Sequence, residues 1–292
     1  MEESIQSTTG KLHPKEHMKC HLYWTVLVGL LFCLATVLTA EEVPVRHHEG
    51  LVHGFLVLRT PDGETLANGD LIQVARGEQV TATLVFHFKD GSVQEETSVY
   101  SQRRTFRLLT NHMVRKGPSF KNPMDVSIDV RSGQVTVRYA DDGGKAKVET
   151  AHLALPADLS NGLLFTMLKN IQPGTPKLKV SMLAATPKPR LVKLAITQVG
   201  EEPFTVAGSS RKATHYVVKF ELGGLTGVVA PLLNKQPPDV HVWILGGEAP
   251  AFVKSEGPLY AGGPIWRVEL ASPVWPATGA DATQGTAQHK AP

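Results

Sequence analysis

Apolar and polar residues alternate with a period of two over most of this chain, and in one stretch the period lengthens to that of a helix. From Gln79 to Lys89, Val80, Ala82, Leu84, Phe86 and Phe88 share one face, while Gln79, Thr81, Thr83, His87 and Lys89 fall mostly on the other. That alternation predicts a half-buried strand. Asp90-Gly91 turns the chain and Ser92 to Tyr100 returns as the second arm of a hairpin. The same reading predicts strands over Gly54 to Arg59, Thr105 to Val114, Val126 to Val130, Val135 to Tyr139 and Ala146 to His152. Further along it predicts Lys177 to Ala185, Arg190 to Gln198, Phe204 to Gly208, Thr214 to Leu222, Val240 to Leu245, Ala251 to Ser255 and Ile265 to Ala271. Turn pairs such as Gly223-Gly224 and Gly246-Gly247 separate them.

Between the two sets of strands, Pro156 to Gln172 places Leu159, Leu163, Leu164, Met167 and Leu168 on one stripe at helical spacing. Pro156 suits a helix start and Pro173-Gly174 a stop. Gly162 costs such a helix roughly 1 kcal/mol relative to Ala, so packing has to hold it. A sheet of this many strands is too wide to stay flat. The expected fold is therefore mainly β: a curved antiparallel sheet, or half-barrel, wrapped around one α-helix, over residues 41–272, after an N-terminal apolar helix. The helix would cover the concave face and leave apolar space beside it.

The first forty residues differ from the rest. Leu22 to Ala40 carries no charge and follows Lys11, Lys15 and Lys19, which reads as a secretory signal peptide or as a membrane anchor, since about 20 residues span a bilayer. Leu38-Thr39-Ala40 before Glu41-Glu42 is a plausible cleavage site, and either reading exports the remainder. The expected location is the periplasm or cell envelope, with residues 1–40 contacting the inner membrane if they are retained. Residues 273–292 are rich in Pro, Ala, Gly and Thr and read as a disordered tail. The chain has 2 cysteines, Cys20 and Cys33, so the part beyond Ala40 can form neither a disulfide nor a thiolate metal site. A net charge of +3 argues against nucleic acid as the partner.

No catalytic constellation emerges, so no enzyme activity, catalytic residue or cofactor is expected. No G-x-S-x-G occurs, and Ala207-Gly208-Ser209-Ser210 reads as a turn. Glu95 and Glu96 point to opposite faces of a strand and cannot act as a dyad. His47, His48 and His53 lie close together around Glu49, and imidazoles suit zinc or copper. An exposed lead-in to the first strand explains them equally, and no metal site is assigned. His215 and His241 lie in predicted strands and can meet across the sheet.

From Arg211 onward the runs RKATHYVVKFELGG, HVWILGGEAPAFVKSEGPL and WRVEL resemble the closing strands of DUF3108-type and LolA-like half-barrels. These are exported bacterial proteins in which a curved sheet wraps a helix. Trp243, Pro250 and the strand Trp266 to Leu270 occupy the matching places. The resemblance implies binding of lipids or acyl chains, as in the LolA-like relatives. The residues expected to line such a site are Leu163, Phe165, Met167, Phe86, Phe88, Trp243 and Trp266, with Phe106, Phe220 and Phe252 also candidates for the concave face. Arg103, Arg104, Arg107 and Lys254, with the Arg115-Lys116 loop, form a candidate basic rim for an anionic head group; solvated hairpin tips are the plainer explanation. The expected function is an exported bacterial envelope protein that binds an apolar or lipid-like ligand. The alternatives are a scaffold domain that binds envelope proteins through its strand edges, and a metal-dependent hydrolase using His47, His48 and His53.

Overall fold

Alternation and tight turns lay the chain out as an up-and-down series of strands. The computed structural model describes residues 42–141, 143–206, 209–221 and 237–271, all within one unit, Ala40–Pro292. The expected signal or anchor over residues 1–40, the expected tail over 273–292 and the Gly223-Gly224 turn lie outside the described residues. Among the described residues no helix is long and apolar enough to cross a membrane.

The first eight strands are β1 (Val52–Arg59), β2 (Thr65–Arg76), β3 (Gln79–Phe88), β4 (Val93–Gln102), β5 (Phe106–Lys116), β6 (Met124–Asp129), β7 (Gln134–Ala140) and β8 (Ala146–His152). Helix α1 (Leu164–Asn170) follows, then β9 (Leu178–Ala184), β10 (Arg190–Val206), β11 (Ser209–Glu221), β12 (Val240–Leu245), β13 (Ala251–Pro258) and β14 (Ile265–Leu270). All belong to one 14-stranded sheet ordered β8-β7-β6-β5-β4-β3-β2-β1-β14-β13-β12-β11-β10-β9, and every pairing is antiparallel, as in β1 with β14 and β13 with β14. The last strand thus returns to the first, and the two ends of the sheet are β8 and β9, which flank the helix in sequence.

The core shows that the sheet curls. Val126 and Ile128 of β6 and Val135 and Val137 of β7 share one buried cluster with Val180, Leu194, Val218 and Val242 from the opposite limb. Leu163, Met167 and Leu168 lie in that same cluster. Inward faces so far apart in strand order can meet only across a concave surface with the helix between them. Among the described residues the expected mainly-β architecture with one helix is therefore observed, with the sheet left open; the expected N-terminal apolar helix lies outside them.

Several expected elements differ. The helix is seven residues long, not the full Pro156 to Gln172. Gly162 has φ +64°, a left-handed conformation that breaks a helix, and a Cβ there would overlap Ser98 Oγ. Ahead of it, residues 158–161 pair with β9 instead: Ser160 N–H donates to Ser181 O at 2.8 Å and Ser181 N–H to Asp158 O at 3.1 Å. The Asn161 amide exchanges two bonds with the Leu183 backbone, at 2.9 and 2.8 Å. This strap covers the β9 edge, whereas the outer edge of β8 carries no such cover among the described residues.

The expected strands at Arg190 to Gln198 and Phe204 to Gly208 are one strand, β10, carried past its turn-like residues by a register shift at Gln198/Gly200. Strand β2 was not among the expected strands. There Gly69 lies flat under Phe86, whose ring would sit 2.5 Å from any Cβ, so the glycine serves close packing.

Candidate functional site

Strand direction sorts the connections into two ends. The 42–50 lead-in, the β4–β5 turn and the C-terminus of α1 close one end of the concave interior. The β5–β6, β7–β8, β9–β10 and β13–β14 turns surround the other, which the described residues leave open.

At the closed end the interior polar groups around Glu49 are partnered, while Gln198 Oε1, inward on β10, has no hydrogen-bond partner among the described residues. Glu49 is 7% exposed and meets Lys169 at 2.6 Å. Its other carboxylate oxygen accepts from Gln73 Nε2 at 2.9 Å, and Gln73 accepts from the Tyr100 hydroxyl at 3.2 Å. Gln102 bonds the Glu49 backbone twice, at 2.7 and 3.1 Å. Asn170 Oδ1 accepts from the backbone N–H groups of Arg46 and His47 at 2.9 and 2.7 Å, tying the helix end to the lead-in. Burial pushes the Tyr100 hydroxyl well above its usual range.

The open end is built differently. Inward from β4 and β5 come Gln94, Glu96, Ser98, Asn111 and Arg115, with Gln94 directly opposite Arg115 and Glu96 opposite Met113. Arg115 is 6% exposed, yet among the described residues its Nε and Gln94 Oε1 have no hydrogen-bond partner. Its one hydrogen bond runs from Nη2 to the Met124 sulfur at 3.8 Å, a weak acceptor. The guanidinium lies 5.1 Å from the Tyr260 ring centre. Desolvation pushes Glu96 above the usual carboxylate range, against the opposing pull of the Asn111 hydrogen bond and the Arg115 charge. The same desolvation lowers Arg115.

Beside Arg115 is a cavity of about 320 Å³, walled by Met124, Tyr139, Ala185, Pro187, Tyr260 and their neighbours. Two loops hold its wall. Ser119 N–H donates to Ser92 Oγ at 2.8 Å and Ser119 Oγ to Asp90 at 2.7 Å, which locks the β5–β6 loop onto the β3–β4 turn. Those bonds lower the Asp90 carboxyl, with the Ser119 hydroxyl contributing most. Gly117, at φ +103°, makes the approach possible, since a Cβ there would stand 2.5 Å from Ser92 Cα. The loop then delivers Phe120 against Phe88 at 5.3 Å and against Tyr260 at 5.6 Å.

The residues expected to bind ligand do not converge on this cavity; none of them lines it. Leu163 and Met167 are fully buried in the main core, and Phe165 packs on Phe252 with ring centres 4.7 Å apart. Phe86, Phe88 and Trp266 form a second cluster with Leu58 and Phe120. Trp243 is on the outer face, because its neighbours Val242 and Ile244 point inward. Its ring stacks on His215 at 4.3 Å and lies under the Lys254 ammonium at 3.9 Å. Its N–H donates to Glu202 at 2.8 Å. Glu202 also meets His215 Nδ1 at 2.9 Å, and His215 Nε2 pairs with His241 Nδ1 at 2.9 Å. The two histidines therefore do meet. Burial lowers His215, partly opposed by Glu202.

The expected rim is dispersed. Arg103 faces Glu78 at 3.5 Å and Arg107 faces Glu42 at 2.6 Å, Arg104 accepts from Val45 N–H through its backbone, and Lys254 is on the outer face with Trp243. Of the basic residues singled out in the sequence, Arg115 alone lines the cavity. His47 serves the closed end through its backbone and His53 pairs with Asp70 at 3.3 Å. Among the described residues no group of three His, Cys, Asp or Glu side chains is arranged to hold a metal.

No protein-family model matches this chain, and no curated protein matches it. Among solved structures it is similar to a β-barrel-like protein of the domain of unknown function DUF1849 from Brucella abortus. The TM-score is 0.45 at 9% identity, with 77% of this chain and 98% of that chain covered.

Sequence reasoning passed over the open-end polar row, although a signal was present. In β4, VQEETSVYSQ, the face that pairs inward reads Gln94, Glu96, Ser98, Tyr100 and Gln102. A strand at the middle of one limb of a half-barrel that is polar on both faces marks an interior with polar work to do.

Proposed function

We propose that the open end of this half-barrel binds an apolar or lipid-like ligand, and that the protein acts as an exported envelope binding protein. The observation that carries the reading is the cavity of about 320 Å³ between Met124, Tyr139, Tyr260 and Arg115, which falls at the small end of ligand-pocket sizes, about 300–1,000 Å³. A small amphiphile, or one end of a larger one, matches that volume. The uncharged segment Leu22 to Ala40 supports export, and the resemblance of the closing strands to LolA-like half-barrels supports a lipid-like ligand. The test is native mass spectrometry of the purified protein before and after delipidation. The expected result is an acyl-containing adduct that is lost on delipidation and regained on adding lipid; protein that neither retains nor takes up any amphiphile overturns the reading. Cell fractionation checks location, with the protein expected outside the cytoplasm.

The uncovered edge of β8 favours a second reading, a scaffold domain that adds a partner strand there. Val148 in that strand is 61% exposed. Cross-linking in cells followed by capture of the full chain separates the two: a stoichiometric protein partner with no amphiphile adduct selects the scaffold.

A further inference from the structure

We infer that the cavity at the open end takes the anionic end of its ligand, a carboxylate or a phosphate monoester, on the guanidinium of Arg115. This rests on reading that cavity as a ligand site, and it names the polar half of what enters.

The argument starts from what Arg115 lacks. A buried guanidinium is costly unless it is paired and hydrogen-bonded. Here the side chain is 6% exposed, and Nε has no partner. Nη1 has no hydrogen bond among the described residues, and Nη2 has only the Met124 thioether. Among the described residues no carboxylate lies within ion-pair distance of it. Glu96 is the interior acid whose charge reaches Arg115, but one of its oxygens is held by Asn111 Nδ2 at 2.8 Å. Asp141 lines the cavity, but its carboxylate is engaged in its own turn. It accepts from Gly143 and Lys145 N–H at 3.1 and 2.9 Å and faces Lys147 at 3.6 Å.

The guanidinium is also held in place. Tyr260 lies against it, and Tyr260 is itself fixed by its hydroxyl bond to Ser119 O at 3.3 Å and by Phe120. With Nη2 against Met124, an anionic oxygen entering the cavity supplies Nη1 and replaces the thioether at Nη2. That is the end-on fork that matches carboxylate and phosphate oxygens. Met124, Tyr139 and Ala185 then offer apolar wall to the rest of the molecule. Charge on Arg115, beside the apolar wall of Met124, Tyr139, Ala185 and Pro187 in a cavity that Asn122, Asp141 and Thr186 also line, selects an amphiphile with an acidic head over a neutral one.

The test is calorimetric titration of the delipidated full-length protein with octanoate, octyl phosphate, octanol, acetate and inorganic phosphate. Octanoate or octyl phosphate should bind about tenfold or more tightly than octanol, the scale of a charged hydrogen bond. Arg115→Gln should bring the anionic ligands down to the level of octanol and leave octanol unchanged. Ala185→Trp fills the cavity, keeps Arg115, and should abolish binding of all of them, which keeps the test valid if Arg115→Gln fails to fold. Octanol binding as tightly as octanoate overturns the anion site and leaves the proposed apolar binding intact. Inorganic phosphate binding without any octyl ligand upholds Arg115 as the anion site and overturns the amphiphile reading. Binding that survives Ala185→Trp, or no binding at all, overturns the inference.

Discussion

The two ends of the concave interior hold similar polar residues and treat them in opposite ways. At the closed end Glu49, Lys169, Gln73, Tyr100 and Gln102 bond one another until nothing is left over. At the open end Gln94 and Arg115 face each other across two strands with an oxygen and a nitrogen unpaired. A saturated buried network fixes one arrangement and has no capacity for a ligand. An unsaturated one beside a cavity has capacity, and it costs stability until something fills it. The difference separates a plug from a site more sharply than apolar lining does, since aromatic residues surround both.

Breaking the plug should have the largest effect. Lys169→Met leaves the Glu49 carboxylate buried and unpaired, and should destabilise the protein by about 3–5 kcal/mol. Denaturant unfolding measures this, and adding Glu49→Gln should recover part of the loss. Close behind is Gly162→Ala at the helix entry. It combines a left-handed residue with a Cβ that overlaps Ser98, for a loss of about 3 kcal/mol, read as a lower thermal midpoint. The open end should respond in the other direction. Gln94→Leu removes a buried amide oxygen that lacks a partner among the described residues and should stabilise by about 1 kcal/mol; a loss comparable to that of Lys169→Met would erase the distinction between the two ends.

The smallest effect is a pH slope. Burial raises Glu96 in the folded state, so the carboxyl is bound to its proton more tightly folded than unfolded. Its contribution to stability is therefore full below its ordinary value and is lost as pH rises through the raised one. Glu96→Gln, which keeps an acceptor for Asn111, should flatten that part of the stability profile. An unchanged profile would mean that Glu96 is not held in a desolvated interior.

The way expectation and structure diverged follows the same division. Strands β3 to β8 were legible with small changes at their ends because period-two alternation and Asp-Gly or Ser-Gly turns are local. The apolar stripe from Leu159 to Leu168 was also real, and Leu159, Leu163, Met167 and Leu168 are buried as expected. Its helical reading failed ahead of Leu164 because Asp158 and Ser160 found backbone partners on β9, which the local pattern does not contain. Strand β2 was not expected either, and its Gly69 packs under the Phe86 ring, a contact that the local pattern does not contain. Trp243 was read as facing inward because it is large and aromatic, yet the strand's parity sets it outside, where His215 and Lys254 shield it.

By itself the sequence determined the strand count to within a few elements, the position of the single helix, the contrast between residues 1–40 and the rest, and which residues alternate together. These follow from the steric period of the backbone and from turn chemistry, which act over a few residues. Only the tertiary structure decided which face of each strand curls inward, which glycine lies under a ring, and that Arg115 is buried without a full set of partners. Whether a polar atom is satisfied depends on side chains from strands distant in sequence, and those meet only once the sheet has curled around Leu163 and Met167.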